Sequence, residues 1–262
     1  MDYVLENNLT LTPLVRRKSF DMIEKAVSNI KSKGHKVIFL GISGGPACGI
    51  TKISEYFHSR IIKSEIIKES SFFKLNSSDN LSNNIDKENQ YLTKEYENYS
   101  KKRRLYLIDI CSPNSFDYDK FFETLKALSE LKKVKIPFFD EEKCEYVEEK
   151  DKIVDPNKTP IIIIEGYYIF KDQRLREMLN LKIFKEVEDD VRLSRLIEKE
   201  EKYLNKDKKA FEMFFDIYRK FYKNLANILL PDYKIFNENN EIEEDETLEF
   251  LIRNLTFLSK RS

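Results

Sequence analysis

Four of the six glycines in this 262-residue chain, Gly41, Gly44, Gly45 and Gly49, fall in one short stretch. Glycine is the residue that enters left-handed backbone without steric cost, so a cluster of this kind marks a tight turn. The β-rich run Lys36-Val-Ile-Phe-Leu-Gly41 leads into it, and Ile53 to Ile62 after it reads as a helix. The run from Gly44 to Thr51 keeps both glycines and the hydroxyl of the phosphate-binding pattern G-x4-G-K-[ST], but puts Ile50 where the lysine belongs. On this pattern Gly44, Gly45, Ala47, Cys48, Gly49 and Ile50 turn backbone N–H groups toward phosphate oxygens. The helix N-terminus adds partial positive charge, and Thr51 is placed to hold Mg²⁺. The mobile cation that would reach the outer phosphates is missing. Lys52 stands one position late, about 100° away around a helix, and is a poor substitute. A bare strand-to-helix turn with no ligand is the competing reading.

The rest of the chain alternates strands and helices. Thr12 and Pro13 open a helix whose Phe20, Ile23, Val27 and Ile30 recur at helical spacing, and Gly34 ends it. Ile62 to Ile67 is a candidate strand. Phe121, Phe122, Leu125, Leu128 and Leu131 form a helical stripe, and Val134 to Phe139 reads as a short strand or edge segment. The run Ile161 to Ile164 is the clearest buried strand, because a parallel strand covered on both faces reads as continuous β-branched residues. A short helix at Arg174 to Leu179, a strand at Leu181 to Val187, two polar helices within Asp189 to Leu230 and a strand at Tyr233 to Phe236 follow. The last helix has Leu248, Leu251, Ile252 and Leu255 on one face, beyond the acidic linker Asn237 to Glu246. Asn76 to Arg104, polar and poor in aliphatic residues, is expected to be a mobile insertion. The expected fold is one α/β domain over residues 1–262, a mostly parallel sheet with helices on both faces and ligand at the carboxyl ends of the strands.

Composition removes other classes. Lys+Arg and Asp+Glu are both 46, so no excess field attracts nucleic acid or anionic lipid. Three widely spaced cysteines fit neither a disulfide framework nor a metal site. No apolar run is long enough for a membrane span and no signal-like segment opens the chain, so a cytosolic protein is expected.

From Val37 to Thr51 the chain resembles uridine/cytidine kinases of the phosphoribulokinase/uridine kinase family, whose P-loop fold the resemblance implies. Ser71-Phe-Phe-Lys74 resembles that family's D-S-F-Y-K segment, Ser112 to Asp117 its N-F-D-H-P-x-A-F-D segment, and Ile136 to Asp140 its I-P-x-Y-D. Ile164-Glu-Gly166 resembles its I-x-E-G strand end, and Asp190 to Arg195 its D-x-R-L-S-R entry to the lid helix. The matches keep family order over roughly residues 36–236. The resemblance implies ATP and Mg²⁺ as cofactors, Thr51 and Glu165 as metal holders, Glu165 and Arg195 as catalytic candidates, and Arg192 and Arg195 as nucleotide contacts. Lys199 and Lys206 stand at later lid-arginine positions.

The family's chemistry is less well kept. Besides Ile50, the base and metal-partner aspartate corresponds to Ser70, with Glu69 beside it out of register. The ribose-holding aspartate corresponds to Cys111, and a histidine corresponds roughly to Cys144. Phosphoryl transfer depends on positioning and charge neutralisation, so losing one aimed donor costs about a hundredfold to a thousandfold, and losing the base a similar factor. Two readings follow: a non-catalytic descendant that acts as a nucleotide-binding or purely structural partner of another protein such as an active kinase subunit, or an ATP-dependent nucleoside or small-molecule kinase working through an atypical loop. A P-loop NTPase switch lacks its second motif.

Overall fold

The computed structural model describes residues 13–74, 113–204, 231–236 and 246–260. The expected insertion at 76–104, Cys111, Lys206 and most of the acidic linker lie outside them. The chain runs α1 (Pro13–Lys33), β1 (Ile38–Gly44), α2 (Ile50–Arg60), β2 (Ser64–Lys68) and a 3-10 turn (Glu69–Phe72). After a second such turn at Pro113–Ser115 come α3 (Tyr118–Ser129), β3 (Val134–Ile136), β4 (Phe139–Asp140), β5 (Glu145–Tyr146), β6 (Lys152–Val154) and β7 (Ile161–Glu165). The chain continues with α4 (Gln173–Met178), β8 (Leu181–Glu186), α5 (Asp189–Leu204), β9 (Tyr233–Phe236) and α6 (Glu246–Ser259).

Five strands form one parallel sheet in the order β2-β7-β1-β8-β9. All seven residues of β1 and all five of β7 are buried, as expected for central strands covered on both faces. Period-two alternation divides the isoleucine run between two cores. Ile161 and Ile163 face a layer with Ile23, Val27 and Ile30 of α1, Ile53 and Phe57 of α2, and Leu248, Leu251, Ile252 and Leu255 of α6. Ile162 and Ile164 face Phe121, Leu125 and Leu128 of α3 and Leu175 of α4. The expected α/β architecture is therefore the observed one, with helices on both faces.

Two expectations change in detail. β1 extends to Gly44 and α2 begins at Ile50, so the turn is tighter than the glycine cluster suggests. Val134 to Phe139 does not join the main sheet: β3 pairs antiparallel with β6, and β4 with β5. A third cluster of Phe73, Phe116, Phe139, Cys144 and Tyr168 anchors these ladders beside the sheet.

The strand order sets the site. β7 lies between β1 and β2, so the carboxyl ends of all three converge, with Glu165 in register with Ile42 on one side and Lys68 on the other. Gly166 N–H donates to Ile42 O at 3.2 Å and Ser43 Oγ donates to Tyr167 O at 3.0 Å, tying the strand ends together.

Candidate nucleotide site

The turn from β1 to α2 is strongly folded back. Ala47 and Gly49 have φ of 58° and 88°, and Cys48 N–H donates to Gly45 O at 3.2 Å. Gly44 admits no side chain, since a Cβ there would lie 2.5 Å from Cys48 Sγ and 2.6 Å from Lys185 O. Thr51 stands in the first turn of α2, and its hydroxyl lies 3.3 Å from Glu165 Oε1 at the end of β7. The predicted pair of Thr51 and Glu165 is thus brought together. Glu165 is 4% exposed, and its Oε2 is buried without a hydrogen-bond partner. An orphaned carboxylate oxygen beside a hydroxyl fits Mg²⁺, which takes one or two protein oxygens and completes its octahedron with phosphates and water. Among the described residues no group of three or more His, Cys, Asp or Glu assembles into a fuller metal site.

Other predicted contacts are placed differently. Cys48 and Ile50 turn their side chains into the core, and the Cys48 N–H, expected to turn toward phosphate, donates instead to Gly45 O within the turn. Burial pushes the Cys48 thiol up to about 12, offset in part by the charges of Arg192 and Lys185. Arg192, expected at the nucleotide, is 1% exposed and donates through Nε to Val187 O while pairing with Asp189. That arrangement braces the β8–α5 turn. Arg195, one helical turn on, reaches the loop itself, with Nη1 3.5 Å from Ala47 O. Lys52 is exposed and Lys199 is exposed.

On the acceptor side Ser70 is buried in the 3-10 turn, where its carbonyl accepts from Phe73 N–H at 3.2 Å. Glu69 does not substitute for an aspartate there. Its Oε2 accepts from Tyr168 N–H at 3.0 Å and its Oε1 from Tyr118 OH at 3.3 Å, and desolvation pushes its carboxyl up to about 7. Cys144 sits at φ 54° in the aromatic cluster, its thiol 3.4 Å from Glu141 O. A cleft of about 500 Å³ opens nearby, with Lys74, Lys120 and Lys135 offset by Asp117, Glu148 and Asp151.

Sequence reasoning missed two residues. Lys68 places its ammonium 3.2 Å from Glu165 Oε1 with its side chain 44% exposed, and Lys185 is 1% exposed opposite Gly44. Strand polarity offered a weak signal for Lys185, a charge inside the run Ile183-Phe-Lys-Glu186. Lys68 gave none, because its neighbour across the sheet is fixed by strand order.

The sequence model of the phosphoribulokinase/uridine kinase family matches residues 39–212. The chain belongs to that family. Among this family member's relatives, the uridine kinase of Borrelia duttonii (strain Ly) is 28% identical over 209 residues, covering 75% of this chain and 87% of its own. The uridine kinase of Streptococcus agalactiae serotype III is 26% identical over 211 residues, covering 75% and 88%. A crystal structure from Silicibacter sp. TM1040, provisionally described as a fructose transport system kinase, superposes with TM-score 0.55 at 17% identity over 80% of this chain and 98% of its own. The Saccharomyces cerevisiae protein YFH7, provisionally described as a P-loop kinase with a circular permutation, gives TM-score 0.54 at 12% identity over 84% and 99%. These two show that the phosphoribulokinase/uridine kinase family member shares their P-loop kinase fold. No helix among the described residues is long and apolar enough to cross a membrane.

Proposed function

We propose that the protein binds a nucleoside triphosphate at the Gly44–Thr51 loop and transfers phosphate to a nucleoside weakly or not at all, acting as a regulatory or structural partner of another protein. The observation that carries this reading is Ile50. Ile50 is 8% exposed and its side chain packs in the core, so the position that supplies the family's phosphate-binding lysine offers no side-chain donor. Ser70 provides no base, and the neighbouring carboxylate of Glu69 is held by Tyr118 and Tyr168. Each loss costs about a hundredfold or more in rate. What remains supports binding: the folded-back loop, Thr51, Glu165 and Arg195. When bound, Mg²⁺ would be held by Thr51 and Glu165 and would neutralise phosphate charge.

The second reading, an active nucleoside kinase with an atypical loop, draws on the relatives named as uridine kinases. A coupled assay for ADP formation with uridine and cytidine separates the two. The natural protein is expected to show little or no nucleoside-dependent turnover. The Ile50→Lys/Ser70→Asp variant is expected to bind ATP about tenfold more tightly with uridine phosphorylation still negligible. An acceptor hydroxyl that is not held in line forgoes a proximity advantage of about 7 to 11 kcal/mol. Robust turnover by the natural protein overturns the non-catalytic reading.

A further inference from the structure

Lys68 is the last residue of β2 and the register partner of Glu165, so both side chains leave the sheet on the same face. The oxygen of Glu165 that meets the ammonium, Oε1, is also the one that meets the Thr51 hydroxyl. Hydroxyl, carboxylate and ammonium therefore converge at the mouth of the loop. Of the other cations near the loop, Arg192 is committed to Val187 and Asp189 and Lys185 is buried within β8, Arg195 reaches the loop only at the carbonyl of Ala47, and Lys52 stands about 100° around α2 from position 50. Lys68 is close to half-exposed on a flexible stem, and a part-exposed ion pair is weak enough to be exchanged for a phosphate contact.

Resting on the nucleotide-binding reading above, we propose that Lys68 supplies from the end of β2 the positive charge absent at Ile50, contacting the phosphate chain of a nucleoside triphosphate directly and competing with a divalent ion for Glu165. The charge balance favours this. Glu165 alone would repel a polyphosphate and call for an ion to bridge them, whereas Glu165 with Lys68 is neutral without one. The site would then accept metal-free ATP, and the divalent ion that a P-loop kinase normally requires would be dispensable for binding.

Calorimetric titration of ATP in EDTA and in excess Mg²⁺ tests this on the natural protein, Lys68→Met and Lys68→Arg, each checked for folding by its melting transition. The natural protein and Lys68→Arg are expected to bind in EDTA within threefold of their Mg²⁺ affinity. Lys68→Met is expected to lose tenfold or more in EDTA and to recover at least part of it in Mg²⁺, because Glu165 is freed for the ion. Natural protein that binds only with Mg²⁺, or Lys68→Met that binds in EDTA like the natural protein, overturns the proposal while leaving nucleotide binding standing. Absence of ATP binding in both conditions overturns nucleotide binding and this proposal together. Should Lys68→Met fail to fold, lysine ¹⁵N-ammonium NMR of the natural protein reads the same contact, with the Lys68 signal assigned through Lys68→Arg. A Lys68 signal that ATP shifts in EDTA supports the contact, and one that stays unmoved on a protein that binds ATP overturns it.

Discussion

Glu69 shows how a single buried carboxyl sets a pH dependence that has nothing to do with catalysis. It is 2% exposed and pressed against the strand end so closely that a Cβ on Gly166 would lie 2.4 Å from its own Cβ. Desolvation raises its carboxyl from the ordinary 4.5 to about 7, against the opposing pull of the Tyr167 and Tyr168 amides. A raised folded value means that the native state binds the proton more tightly than the unfolded chain. The stabilisation is therefore full below about pH 4.5 and is lost as pH rises through about 7. The full shift corresponds to roughly 3 kcal/mol. Glu69→Gln keeps the shape and removes the ionisation. Its melting temperature should fall less than that of the natural protein between pH 5 and pH 8, so the two curves converge or cross toward the alkaline end. Parallel curves would mean that Glu69 is solvated.

The elements that carry the site differ in what holds them. The 3-10 turn bearing Ser70 is too short to be stable alone and is held by Phe72, whose ring stacks on Phe121 of α3 at 4.1 Å and 12°. Phe121 is fully buried, so Phe121→Ala should cost about 3 to 5 kcal/mol in chemical denaturation. Asp117 caps α3 by accepting from Lys120 N–H at 3.0 Å, and Asp117→Ala should cost only about 1 kcal/mol. A reversed order would place the turn's support elsewhere. Legibility in the sequence follows the same division. The isoleucine run, the glycine turn and the Tyr233–Phe236 strand carry local signals strong enough to be read directly, and the structure places strands at two of them and the turn at the third. The two-residue strands β4 and β5 carry no period and exist because the aromatic cluster holds them. In the sequence Glu69 is only the out-of-register neighbour of Ser70, and Lys68 carries no signal. The burial of one and the placement of the other follow from β7 lying beside β2, which no local pattern encodes.

At the scale of the whole molecule, α6 closes one core. Leu248, Leu251, Ile252 and Leu255 are all buried, and outside them Glu249 ties the helix to α2 through Arg60 at 2.8 Å and Tyr56 at 2.7 Å. Burying each aliphatic side chain is worth about 1.5 to 3 kcal/mol, and the four together approach the total stability of an ordinary domain. A chain ending before Glu246 should therefore lose its cooperative melting transition. Retention of a sharp transition would show that the core closes without α6. The sheet order carries a further consequence, in the time the protein takes to become itself. β1 and β2 are separated by a single helix, yet they are not neighbours; β7 arrives from far along the chain to lie between them. Until it does, the hydroxyl, the ammonium and the carboxylate have no common location, because Glu165 is the residue that brings the other two together. Long-range parallel pairing is the slow kind of folding event. The site is thus expected to be among the last features to form during folding, and a chain caught with β1 and β2 paired directly would have most of its elements and no assembled site.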